Sequence, residues 1–128
     1  MSTEKVVSTV DKFLLFDGAM GTYLTTLSGK TETVPENFNI RNPGLVYEVH
    51  KQYIEAGAEC ITANTFALNR IVNSENEDVI AEGITKGVKI ACMAANDFGA
   101  EAFASIGPAH GIHDNEIVDT EFIWVADI

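Results

Sequence analysis

Basic residues are scarce in this chain. Eight Lys and Arg stand against 19 Asp and Glu, for a formal net charge of -11. A surface of that sign repels nucleic acid phosphates and anionic lipid headgroups, so neither is expected as a partner. Cysteine is scarcer still. Cys60 and Cys92 are the only two. They form no Cys-x-x-Cys pair, which gives no ground for a disulfide framework or a zinc knuckle. No run approaches the roughly 20 apolar residues that span a bilayer. The start, Met1 to Lys12, is polar and mixed in charge and lacks the apolar stretch of a signal peptide. The expectation is a cytoplasmic protein with no membrane contact. Internal repeats and linkers are missing too, as are the phosphate-binding patterns G-x-G-x-x-G and the full G-x-x-x-x-G-K-S/T.

What is present is an ordinary globular composition, 46% hydrophobic and 21% charged over 128 residues, enough for one small domain with a core. The pattern alternates between strand-like runs and helical periods. Ser2 to Lys12 reads as a short leading helix. Phe13 to Phe16 is a continuous apolar run ending at Asp17-Gly18, the pattern of a short strand buried on both faces. Ala19 to Leu27 reads as a short helix and Ser28 to Arg41 as a polar loop. The next helix has marked ends: Asn42 to cap it, Pro43 at its first position and Gly57 just past its last. Leu45, Val46, Val49, Tyr53 and Ala56 give it one apolar face, with His50 at the flank or surface. Cys60 to Phe66 reads as a second strand, beginning with a buried, inert thiol.

A third helix is expected from about Glu77 to Asp97, with Ser74 and Glu77 at capping-box spacing. Ile80, Ile84, Val88, Ala91 and Ala95 form its stripe, and Cys92 beside them reads as buried. Gly83 and Gly87 weaken that helix but allow close packing on a sheet. Ala102 to Ile106 reads as a third strand closed by Gly107-Pro108, and Thr120 to Ile128 as the start of another helix. The order β-α-β-α-β, then a helix, belongs to an α/β barrel or to an open doubly wound sheet, and periodicity does not choose between them.

In both folds, function gathers at the carboxyl ends of the strands. The first end, Asp17-Gly18-Ala19-Met20-Gly21-Thr22, is a glycine-containing turn running into a helix. Free amides and the positive dipole end of that helix suit an anion, and Asp17 suits an ammonium group, so an amino acid fits the set. An equally physical reading makes Asp17 the N-cap and the glycines a tight turn. Asn64 and Thr65, polar residues closing an apolar strand, are either pocket contacts or turn-formers. His110, His113 and Asp114 place three metal-ligand types together, but in a stretch that reads as an exposed polar loop.

These strand ends resemble the homocysteine S-methyltransferase family. The opening Phe16-Asp17-Gly18-Ala19-Met20-Gly21-Thr22 is similar to that family's first motif. The likeness continues through Pro35-Glu36-Asn37-Phe38-Asn39 and Asn42-Pro43, and through Val49 to Glu59 into Ile61-Thr62-Ala63-Asn64-Thr65-Phe66 and Asn69-Arg70. It ends at Ala104-Ser105-Ile106-Gly107-Pro108. The resemblance is greatest to the homocysteine-binding barrel of the cobalamin-dependent branch.

That resemblance implies that residues 1–128 are the amino-terminal part of a (β/α)8 barrel, a fold that takes about 250 residues, truncated on its carboxyl side. It implies L-homocysteine as substrate, held at its amino-acid end by Asp17 with the backbone of Gly18 and Ala19, while Asn64 and Thr65 line the pocket. It implies a zinc ion that activates the substrate thiolate, methylcobalamin as methyl donor, and a corrinoid-binding module elsewhere in the parent protein. The family's zinc ligands are three cysteines in motifs that this chain does not contain, and neither Cys60 nor Cys92 takes their role. Ala109-His110 also departs from the usual small polar pair. The expectation is a chain with part of a substrate site, no metal site and no methyl transfer of its own. A competing expectation is a small non-catalytic α/β module that binds an anion or amino acid through the Asp17 to Thr22 turn and self-associates through open strand edges.

Overall fold

The structure, a computed structural model, describes residues 13–109 and 111–128. The expected leading helix over Ser2 to Lys12 and the position of His110 lie outside the described residues. In chain order the elements are helix α1 (Gly21–Ser28), a 3-10 turn (Pro35–Asn37), helix α2 (Phe38–Arg41), helix α3 (Pro43–Glu55), strand β1 (Cys60–Thr62), helix α4 (Glu77–Phe98), strand β2 (Glu101–Phe103) and helix α5 (Asn115–Ala126). β1 and β2 are parallel, with Cys60 opposite Glu101 and Thr62 opposite Phe103. The 22-residue α4 makes the crossover between them, as parallel neighbours require.

The first apolar run joins this sheet more loosely than its sequence suggests. Phe16 makes a single parallel bridge to Cys60, the Leu15 carbonyl accepts from the Glu59 and Cys60 amides, and Asp17 N donates to Cys60 O. The spatial order is therefore the Phe13 to Phe16 run, then β1, then β2. The run is not buried on both faces: Phe13 is 70% exposed and Phe16 46%. The reason is one-sided cover. Ile61 and Ala63 pack with Ala91, Ala94 and Ala95 of α4. By strand alternation Cys60 and Thr62 turn to the other face. There Phe16 and Phe103 meet with ring centroids 5.3 Å apart, Phe103 being 44% exposed.

The helices follow their sequence signals with instructive exceptions. Asn42 caps α3 by accepting from Leu45 N, with Pro43 at the first position. Gly57 follows the helix at φ 118°, a backbone that side chains rarely adopt. Val46 and Val49 are buried, but Ala56 is exposed and the third buried residue of α3 is His50, at 0% exposure rather than on a flank. α4 is capped by Asn76, which accepts from Val79 N; the Ser74–Glu77 box is not the cap. Cys60 is buried, and burial pushes its thiol up. Cys92 is exposed, one position off the buried stripe of Ala91 and Ala95.

One segment read as a loop is ordered, and the last helix starts earlier than its pattern suggests. The stretch before α3 holds the 3-10 turn and α2, which bury Glu36, Phe38 and Asn39. α5 starts five residues before Thr120, because Asp114 accepts from Glu116 N and Ile117 N, and it ends at Ala126. Arg70 anchors it: its guanidinium lies 2.9 Å from Glu121 and 3.9 Å from the centroid of the Trp124 ring. His113 is exposed just before that helix.

Candidate functional site

Beyond β1 and β2 the strand ends separate, and side chains replace the ladder. The Thr65 hydroxyl donates to Ser105 O at 2.8 Å and accepts from Ser105 N at 3.1 Å, which holds the two strand exits together. Asn69 Nδ2 donates to Gly107 O at 2.6 Å. Asn39 joins three segments: its Nδ2 donates to Asn64 O at 2.7 Å and to Gly83 O of α4 at 3.1 Å. Its Oδ1 accepts from Asn64 Nδ2, which also donates to Pro35 O. Asn39, Asn64, Thr65 and Asn69 are all buried. Their polar groups answer one another, which is the condition for burying them.

These bonds frame a cavity of about 510 Å3 at the carboxyl ends of the strands. Its walls include Asp17 and Gly18, Gly21 at the start of α1, Glu36 in the 3-10 turn, Thr62 to Thr65 at the end of β1, and Ser105. Of the residues singled out by sequence, Asp17, Gly18, Asn64 and Thr65 meet on this one cavity. Ala19 is not on its wall; it is exposed, and its carbonyl accepts from the Tyr53 hydroxyl at 2.6 Å.

Asp17 is not the N-cap of α1. That helix begins at Gly21 behind Met20, with no side-chain cap. The Asp17 carboxylate instead accepts from Thr62 N at 2.9 Å and Thr62 Oγ1 at 3.2 Å. Burial raises its pKa, and the Thr62 hydrogen bonds oppose that rise. The first amide bond of α1 runs from Leu24 to Met20, so the amides before Leu24 stand outside the helical ladder. Gly18 and Gly21 let neighbours close in. A Cβ on Gly18 would lie 3.1 Å from the Tyr53 hydroxyl, and one on Gly21 3.0 Å from Pro35.

Spacing and period pass over Glu36, Thr62 and Ser105. Glu36 lies in a stretch whose composition reads as loop, and its only mark is the Pro-Glu pair of a helical first turn. Thr62 and Ser105 are single polar residues at strand positions, where a hydroxyl looks the same whether or not a cavity lies beside it.

Among the described residues, no group of three His, Cys, Asp or Glu converges as a metal would require, and no helix is long and apolar enough to cross a membrane.

Comparison with known proteins bears on this geometry. A family model described as homocysteine S-methyltransferase matches residues 14–124. A methionine synthase from Mycobacterium tuberculosis is 31% identical over 110 aligned residues, covering 76% of this chain and 9% of that protein. The crystal structure of the homocysteine methyltransferase MmuM from Escherichia coli, in its metallated form, superposes with a TM-score of 0.74 at 19% identity, covering 94% of this chain and 51% of that one. Its apo form gives 0.63 at 28% identity, with coverages of 84% and 42%. The chain thus spans about half of the solved structure and a small part of the methionine synthase.

Proposed function

Since this chain belongs to the homocysteine S-methyltransferase family, we propose that its cavity holds the amino-acid end of L-homocysteine, as part of the substrate site of a (β/α)8 barrel. The observation that carries this reading is the meeting of Asp17, Gly18, Asn64 and Thr65 on one cavity at the strand ends. Asp17, kept in place by Thr62, offers acceptors to the ammonium group. The amide of Gly18, with those opening α1, offers donors to the carboxylate. Asn64 and Thr65 act through the frame: their side-chain bonds to Asn39, Pro35 and Ser105 set the width of the cavity.

The reaction of the parent protein would be methyl transfer to the sulfur of homocysteine, with methylcobalamin as donor from a corrinoid-binding module. Zinc would activate the thiol. The described residues do not fit that ion, since no set of ligands converges among them. What these residues supply is binding and orientation. We propose that this chain alone does not methylate homocysteine, and sustained turnover by it would overturn that half of the reading.

An amide NMR titration with L-homocysteine tests the site. Shifts confined to Gly18–Thr22 and Asn64–Phe66 are expected. A dispersed spectrum that does not move at high ligand concentration would sink the binding assignment. A second reading, a self-associating binding module, is favoured by one observation: the exposed apolar run Phe13 to Phe16 at the side of β1. It requires a concentration-dependent dimer in sedimentation equilibrium.

A further inference from the structure

Glu36 is the wall residue that, among the described residues, has a buried side-chain oxygen without a partner. It is 6% exposed and sits in the 3-10 turn, facing the β1 exit across the cavity wall. One carboxylate oxygen, Oε2, accepts from Ala67 N at 3.0 Å, which fixes the side chain to the loop after β1. The other, Oε1, is buried with no hydrogen-bond partner among the described residues. Among the described residues, no other wall residue has a buried side-chain polar atom without a partner. Both Asp17 oxygens already accept from Thr62, the Thr65 hydroxyl both donates to and accepts from Ser105, and the Asn64 amide donates twice.

A buried carboxylate oxygen without a donor is costly in the empty protein, and the cost disappears when a cationic donor arrives. Glu36 is tied at Oε2 and unpartnered at Oε1, so a ligand that reaches Oε1 gains the bond without ordering the side chain. From this we infer that Glu36 is a specificity-determining residue of the cavity, whose Oε1 accepts a hydrogen bond from the ammonium group of an α-amino acid ligand alongside Asp17. The inference rests on the proposed homocysteine site and adds to it the group that selects for the amine. Two carboxylates around one ammonium also leave the site hostile to ligands that carry only an acid group, because such a ligand meets both without a cation to offset them.

The test compares L-homocysteine with its des-amino analogue, 4-mercaptobutanoate, by calorimetric titration of this chain and of Glu36→Gln. The glutamine keeps an oxygen for Ala67 N and removes the negative charge. The wild-type chain is expected to prefer homocysteine by about tenfold or more, and Glu36→Gln to lose most of that preference by binding homocysteine more weakly. A preference that survives Glu36→Gln unchanged overturns the role of Glu36 and leaves the homocysteine site standing. A wild-type chain that binds neither ligand overturns both. A readout independent of the variant's folding is the carbon-13 shift of the Glu36 carboxyl in the wild-type chain. It is expected to move with homocysteine and not with the analogue; equal movement with both, or none with either, overturns the inference.

Discussion

Acidification from pH 6.5 to 4 is expected to lower the folding stability of this chain by about 3 kcal/mol through His50 alone. The residue is wholly buried on α3 beside Val46 and Val49, and neither ring nitrogen has a hydrogen-bond partner among the described residues. Burial penalises the imidazolium and lowers the pKa from 6.5 to about 4. Between those values the unfolded chain binds the proton and the folded chain does not. The contribution of the neutral ring is therefore fully present above pH 6.5 and is lost as pH falls through the window toward 4, with no further loss below it. The comparison that isolates this residue is His50→Leu, followed by urea denaturation at pH 7, 5.5 and 4. The variant is expected to match or exceed the wild type by about 1 kcal/mol at pH 7, because two unpaired buried nitrogens are replaced by hydrocarbon of similar size. It is expected to fall less steeply on acidification. A wild type and variant with the same pH slope would mean that His50 is protonated, or exposed, in the folded state.

Gly87→Ala is expected to destabilise the chain by about 2 kcal/mol, although alanine is the better helix former by about 1 kcal/mol. The added methyl carbon would lie 2.6 Å from Asn39 Nδ2, 2.9 Å from Thr65 Cγ2 and 3.2 Å from the Asn64 carbonyl. Asn39 is fully buried and bonded to both the β1 exit and α4, so it cannot retreat without breaking those bonds. Gly83→Ala on the same helix makes the control. Its methyl would meet only the Leu68 side chain, nearest at 3.1 Å, whose flexible end can give. Thermal melts of both variants check the contrast. A stabilised Gly87→Ala would mean that helix propensity outweighs the packing, and that α4 does not press on the cavity frame as closely as the structure has it.

The legible part of this fold was the part with short-range causes. Asn42, Pro43 and Gly57 bracket α3 because caps and turns act over three or four residues. The stripe of Ile80, Ile84, Ala91 and Ala95 locates α4 because burial recurs with the helical period. The parallel α/β order followed from the same signals. What stayed hidden depends on partners distant in sequence. The exposure of Phe13 to Phe16 cannot be read from the run itself, since an apolar tetrapeptide looks the same with one covered face or two. His50 is polar by type and buried by position, and only the neighbouring elements decide which wins. At the site, Asp17, Gly18, Asn64 and Thr65 could be drawn from strand ends. Glu36 could not, because its significance lies in a bond it does not make.

Four hydrogen bonds around the cavity each close a long loop of chain: Asn39 to Asn64 spans 25 residues, Thr65 to Ser105 spans 40, Asn39 to Gly83 spans 44, and Asp17 to Thr62 spans 45. Helices such as α4 gather from local contacts, whereas each of these closures must first overcome the entropy of the loop it spans. Helical content and binding competence are accordingly separate properties of this chain. A collapsed form with α3 and α4 in place would give a nearly native far-ultraviolet spectrum and still have no cavity, so circular dichroism is a poor assay for an intact site, and ligand affinity reports the last contacts to form.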